Sequence, residues 1–110
     1  MDIQEQRQGS VMILKPAGRL DSLSCREFET RLLAALDESK TVAVDCAALD
    51  YISSAGLRVL LVAAKHNRAG GGRLALAALR DNVREVFEIS GFSAIFALHP
   101  TVAAAVTALG

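Results

Sequence analysis

Apolar positions alternate along this chain between short continuous runs and helical spacing. Residues 3–8 are polar and weakly patterned, either an edge strand or a tail. Val11 to Leu14 is a short apolar run closed by Pro16 and Gly18, which reads as a buried strand paired across Gly9-Ser10. Asp21 to Ser24 carries helix-start residues, with Ser24 and Glu27 spaced as a capping box. Phe28, Leu32, Ala35 and Leu36 then repeat at helical spacing to about Asp37. Thr41 to Cys46 is β-branched and apolar, a central strand, and a short link from Ala47 to Ile52 follows. A second helix opens at Ser53-Ser54-Ala55-Gly56, runs to about Asn67 and ends in Ala69 to Gly72. Leu74 to Ala77 reads as a further central strand, Asp81 to Ile89 as a helix with Gly91 as its C-cap, and Ala94 to Ala97 as a last strand. Pro100 suits the first turn before an apolar helix over Val102 to Leu109. The order β-β-α-β-α-β-α-β-α requires crossover connections. It predicts an α/β domain with a mostly parallel mixed sheet of four to five strands and about four helices, spanning residues 1–110.

Composition narrows the function classes. A chain of 110 residues buries roughly 65% of its unfolded surface, enough for a core without staples. Its 12 basic and 12 acidic side chains cancel. Binding to nucleic acid or to an anionic membrane surface draws on a basic excess, so neither is expected. Cys25 and Cys46 form no CxxC pair and read as buried free thiols. No basic-then-apolar leader opens the sequence, and no apolar run approaches the roughly 18 residues of a membrane span. The expected location is the cytoplasm.

Catalytic chemistry finds little support. His66 and His99 have no second histidine or carboxylate at metal-ligand spacing, and no cofactor motif is present. Ser54-Ala55-Gly56 lacks the Gly-x-Ser-x-Gly nucleophile elbow. Gly70-Gly71-Gly72 follows a helix and precedes a strand, whereas a phosphate cradle leads into a helix N-terminus; a helix-to-strand turn is the plainer reading.

The informative stretch is Leu49 to Leu57. Two serines stand where a loop becomes a helix, and N-capping explains one of them. Ala55 and Gly56 in the first turn leave this end open to a partner, although a helical glycine costs about 1 kcal/mol against alanine. A phosphate here brings about −1.5 to −2 charges, which a helix N-terminus tolerates and a packed partner surface does not. On the same helix Leu57, Leu60, Leu61 and Ala64 form a core face, yet Val59, Val62 and Ala63 are apolar too. Either a neighbouring helix covers that extra face or a partner docks on it.

Asp50-Tyr51-Ile52-Ser53-Ser54-Ala55-Gly56-Leu57-Arg58-Val59-Leu60-Leu61 resembles the signature of STAS-domain anti-sigma factor antagonists. Gly18-Arg19-Leu20-Asp21 is similar to that family's turn before its first helix, Val42 to Asp45 to its central strand, and Val83 to Phe92 to its third helix and following turn. The resemblance implies a partner-switching module that is not an enzyme. The unphosphorylated antagonist binds an anti-sigma factor with a histidine-kinase-like ATP-binding fold and so frees the sigma factor. That kinase phosphorylates a serine before the second helix, and a PP2C-type phosphatase reverses the step. The position two before the glycine is Ser54, preferred over Ser53; Ser53 and Ala55 replace the Asp and second Ser of some members. The partner surface is expected to include Asp21, Ser53, Ala55, Gly56, Arg58, Val59 and Val62, with Asp45 beside the phosphosite. The alternative is a STAS adaptor subunit of a transport or stress-signalling complex without a phospho-switch. A receiver domain fits poorly, because it needs a lysine near the C-terminus and the last one here is Lys65.

Overall fold

The computed structural model describes all 110 residues. Strand β1 (Asp2–Gln8) and strand β2 (Val11–Leu20) form an antiparallel hairpin, and the two-residue turn is made possible by Gly9 at φ 61°. Helix α1 (Cys25–Ser39), strand β3 (Thr41–Asp45), strand β4 (Leu49–Ile52), helix α2 (Ser54–Ala69), strand β5 (Arg73–Ala77), helix α3 (Asp81–Ser90), a 3₁₀ turn (Phe92–Ala94), strand β6 (Ala97–His99) and helix α4 (Val102–Leu109) follow. The sheet order is β1-β2-β3-β5-β6, with β1 antiparallel and the others parallel, and β4 lies parallel to the end of β2.

The expected mixed, mostly parallel sheet with four helices is present, with six strands instead of four or five. The additional strand is β4, inside the segment read as a link. Pro16 and Gly18 also do not close β2. The partner β3 pairs with Met12 to Leu14, and β4 with Gly18 to Leu20, so β2 has no neighbour on that side at Pro16. A two-residue hairpin makes Gln8 and Val11 a hydrogen-bonded pair, and alternation then makes Ile3 and Pro16 a non-bonded pair. The missing N–H of Pro16 thus faces the gap and interrupts no ladder. At the other end of the chain Ala94 to Ala97 is not the last strand. The 3₁₀ turn wraps Phe92 and Phe96 into an aromatic cluster with Phe87, and pairing with β5 begins only at Ala97.

Period-two alternation divides the sheet's side chains between two layers. Met12, Leu14, Val42, Val44 and Leu76 point into a cluster of 20 buried residues under α1, α2 and α3. Val11, Ile13, Ala43, Ala75 and Ala77 point the other way, under α4, in a cluster of 7. The alanines let the alanine-rich α4 approach closely. Phe28, Leu32, Ala35 and Leu36 are all buried, as the helical spacing predicts. Ser24 makes no capping bond to the α1 backbone: its Oγ accepts the Asp21 N–H at 3.1 Å instead, and its hydroxyl donates to the Arg19 carbonyl at 2.7 Å. No helix is long and apolar enough to cross a membrane.

Candidate functional site

The first turn of α2 stands at the carboxyl edge of the sheet, where β2 and β4 end side by side. The Ser53 N–H donates to the Leu20 carbonyl at 2.9 Å, which ties the start of α2 to the last residue of β2. The next residue along is Asp21. The β2–β4 pairing thus brings together two segments more than 30 residues apart in sequence, Leu20-Asp21 and Ser53-Ser54.

The two serines occupy different positions. Ser53 is the N-cap: its backbone is extended (φ −96°, ψ 175°) and its Oγ accepts the Gly56 N–H at 3.3 Å. Ser54 is the first helical residue. It is exposed, and its hydroxyl takes part in no hydrogen bond. The N–H groups of the first turn have no acceptor within the helix, so an anion on Ser54 would meet donors and the positive end of the helix dipole.

An open groove of about 510 Å³ runs from Ser54 between the helices, lined by Cys25, Arg26 and Glu29 of α1 and by Ala55, Arg58 and Val59 of α2. Ala55 is half-buried and Arg58 exposed. Cys25 is half-exposed rather than buried. Cys46 is buried as read, and burial pushes its thiol up to about 12, with the Asp45 charge adding to the shift.

Asp21 organises the neighbouring turn. Its Oδ1 accepts the Leu23 N–H at 3.0 Å and lies 3.4 Å from the Ser24 hydroxyl, and its own N–H donates to Ser24 Oγ at 3.1 Å. The Leu23 N–H, helped by Ser24 and by Arg19, holds the carboxyl below the usual carboxylate range against the opposing effect of partial burial. It therefore favours the fold at all pH above the ordinary carboxylate pKa, and that contribution is lost as pH falls through the lowered value. Arg19 lies 3.6 Å from Asp21 and stacks 4.1 Å from the centre of the Tyr51 ring. The turn holds Leu23 in water, 94% exposed.

Two of the predicted surface residues are internal. Val59 is only 5% exposed, because α1 packs across that side of α2 and closes it into the core. Gly56 is also buried. A Cβ there would meet the Leu20 carbonyl oxygen at 2.8 Å and Leu20 Cγ and Ile52 Cγ1 at 2.9 Å, so close approach to β2 and β4 accounts for this glycine rather than openness to a partner. In an unencumbered helix Gly→Ala gains about 1 kcal/mol. Here overpacking costs about 1–3 kcal/mol. Gly56→Ala is therefore expected to lower the melting temperature by several degrees in a circular dichroism melt; a raised one would show that the contact yields.

Val62 remains on the surface at 41% exposure. Asp45 ends β3 and its Oδ1 accepts the Ala47 N–H at 3.0 Å, which anchors the following loop; it bonds to neither serine. Sequence reasoning did not select Leu23. Its one signal was an apolar residue among helix-start polar residues, which has no partner at helical spacing.

Residues 2–105 match the family model of the STAS domain. A protein of Bordetella bronchiseptica, BtrV, named as a candidate anti-sigma factor antagonist, is 49% identical over 80 residues, 72% of this chain and 69% of that protein. Among solved structures, a candidate anti-sigma factor antagonist of Thermotoga maritima superposes with a TM-score of 0.91 at 19% identity, covering 97% of this chain and 93% of that one. The antagonist SpoIIAA superposes in its unphosphorylated form with a TM-score of 0.80 at 20% identity (96% and 93% covered), and as the phosphorylated Bacillus cell fate determinant with 0.75 at 19% (99% and 100%).

Proposed function

Because this chain belongs to the STAS-domain family, we propose that it is an anti-sigma factor antagonist working by partner switching. Its unphosphorylated form binds a serine-kinase anti-sigma factor with a histidine-kinase-like ATP-binding fold and releases the sigma factor. Phosphorylation of Ser54 ends that binding, and a PP2C-type phosphatase restores it. The domain is a substrate of this chemistry and not a catalyst.

The observation that carries the reading is the division of labour between the two serines. Ser53 holds the helix start, and Ser54 presents a free hydroxyl beside a groove at the positive end of α2. Support also comes from the 49% identical relative named as an antagonist and from a neighbour of the same fold that exists in unphosphorylated and phosphorylated forms. The partner surface in this reading comprises Asp21, Leu23, Ser53, Ser54, Ala55, Arg58 and Val62, with Asp45 shaping the loop behind it. The test is capture from native lysate with paired Ser54→Ala and Ser54→Asp baits. A small histidine-kinase-like ATPase retained by the first and lost by the second supports the reading; the same partners on both baits overturn it.

Leu23 is the apolar anchor of this surface. Truncating such a residue at the centre of an interface costs more than about 1 kcal/mol, roughly tenfold in affinity at 1.4 kcal/mol. Leu23→Ser is expected to weaken binding of the captured kinase by about that factor in calorimetric titration, with an unchanged melting temperature because the side chain has almost no contacts to lose. Wild-type affinity would remove Leu23 from the interface.

A further inference from the structure

The two edges of the sheet are unlike. β6 is three residues long. β1 is seven residues long, in unbroken register with β2, and contains no proline, glycine, lysine or bulge. Short edges, prolines, bulges and charged side chains, lysine above all, are the devices that keep strand edges from pairing; β1 has only the last, in Asp2, Glu5 and Arg7, and carries both signs of charge. Neither helical layer buries it: α1 packs on β2 and β3 and reaches β1 through ion pairs from Arg31 and Glu38, α4 packs on β3, β5 and β6, and all of β1 except Ile3 stays exposed.

The hairpin geometry defines what β1 offers. Gln8 and Val11 flank the two-residue turn as a hydrogen-bonded pair, so Gln8, Gln6, Gln4 and Asp2 direct their backbone groups at β2. Ile3, Glu5 and Arg7 therefore direct theirs outward. An antiparallel partner can bond to all three, and a second copy of β1 can do so with matched charges. With Gln6 on the two-fold axis, Glu5 of each copy faces Arg7 of the other as a hydrogen-bonded pair, giving about four ladder bonds at those positions. Within the chain Arg31 already lies 3.2 Å from Glu5 and Glu38 lies 3.3 Å from Arg7. The pairing would join these into alternating rows, Arg31–Glu5 of one copy with Arg7–Glu38 of the next. Moving the register by two residues to put Glu5 on the axis sets the two Glu5 side chains against each other, so charge selects one register.

We propose that β1 is a self-association edge: two copies of this chain pair β1 to β1 in the Glu5-to-Arg7 register, making one continuous sheet across the dimer. This surface involves neither Ser54 nor the α1–α2 groove, and the proposal stands apart from the partner-switching reading.

The register can be read by disulfide trapping in a Cys25→Ser background, which leaves only the buried Cys46. Gln6 and its symmetry mate would be a non-hydrogen-bonded pair, with Cα atoms about 4.5 Å apart, within disulfide reach. Gln4 would face Gln8 of the other copy, and each would lie roughly 13 Å from its own mate. Gln6→Cys alone should form a cross-linked dimer under mild oxidation. Gln4→Cys and Gln8→Cys should each stay monomeric alone and cross-link when mixed. Sedimentation equilibrium of the unaltered protein should show mass rising with concentration toward twice the monomer's, and Glu5→Lys should weaken that association at least about tenfold, since it sets lysine against Arg7. A monomer at every concentration up to millimolar, or equal cross-linking by all three single cysteines, would overturn the proposal.

Discussion

Ser54→Asp is expected to bind the kinase proposed as its partner about a hundredfold more weakly than Ser54→Ala, a difference of about 2.8 kcal/mol, while the two proteins melt within a few degrees of each other. The separation of binding from stability follows from where the residue sits. Ser54 is exposed, and its hydroxyl has no bond within the fold to lose. A negative charge in the first turn gains about 0.3–1 kcal/mol from the helix dipole, so the aspartate stabilises slightly if it does anything. A partner packed over the same turn would have to strip water from that charge. Ser53→Ala is the contrasting variant. It removes the bond to the Gly56 N–H, costs about 1 kcal/mol of stability, and leaves Ser54 as an acceptor that mass spectrometry still finds phosphorylated. Phosphate on Ser53 in the Ser54→Ala protein would reverse the assignment. Equal affinity of the Ser54→Ala and Ser54→Asp proteins would remove the charge switch altogether.

The sequence distinguished the two serines only by resemblance. Both are capping residue types, and local preference cannot say which one adopts the extended backbone. The structure does so through a remote contact: the Leu20 carbonyl takes the Ser53 N–H and sets the helix boundary there. The same contact explains other differences. The pattern in β4 is buried at Leu49 and Ile52 and exposed between, too short for an alternation to register. Its strand state comes from pairing with the second half of β2, across more than 25 residues of sequence. Pro16 and Gly18 are strand breakers in local terms. They are tolerated because β2 changes partners at that point. The buried face of α1 was legible because its apolar residues repeat at the helical period, and the two central strands because a strand buried on both faces is a short continuous apolar run. Leu23 and Gly56 were not, since one depends on a turn that exposes it and the other on a backbone three strands of sequence away.

Val59 and Val62 test the division of α2 into an inner and an outer face. The residues are three apart, both valine, and both were expected on the partner surface. The helix buries Leu57, Val59, Leu60 and Ala63, and Val62 lies outside that arc. Val59→Asp places a carboxylate beneath α1 against the apolar cluster, while the arginines of the same groove, Arg26 and Arg58, are exposed to solvent. An unpaired polar group so buried costs about 2–7 kcal/mol and an unpaired charge more, against a total stability of about 5–15 kcal/mol. The expected result is a protein largely unfolded at 25 °C, or one whose circular dichroism melt is lowered by tens of degrees, with recovery at acid pH where the carboxyl is neutral. Val62→Asp stays in water and should change stability by less than about 0.5 kcal/mol, so any loss of kinase binding in that variant reports the interface alone. Equal melting temperatures for the two variants would mean that α1 does not close over Val59, and the groove beside Ser54 would then be deeper than the structure has it.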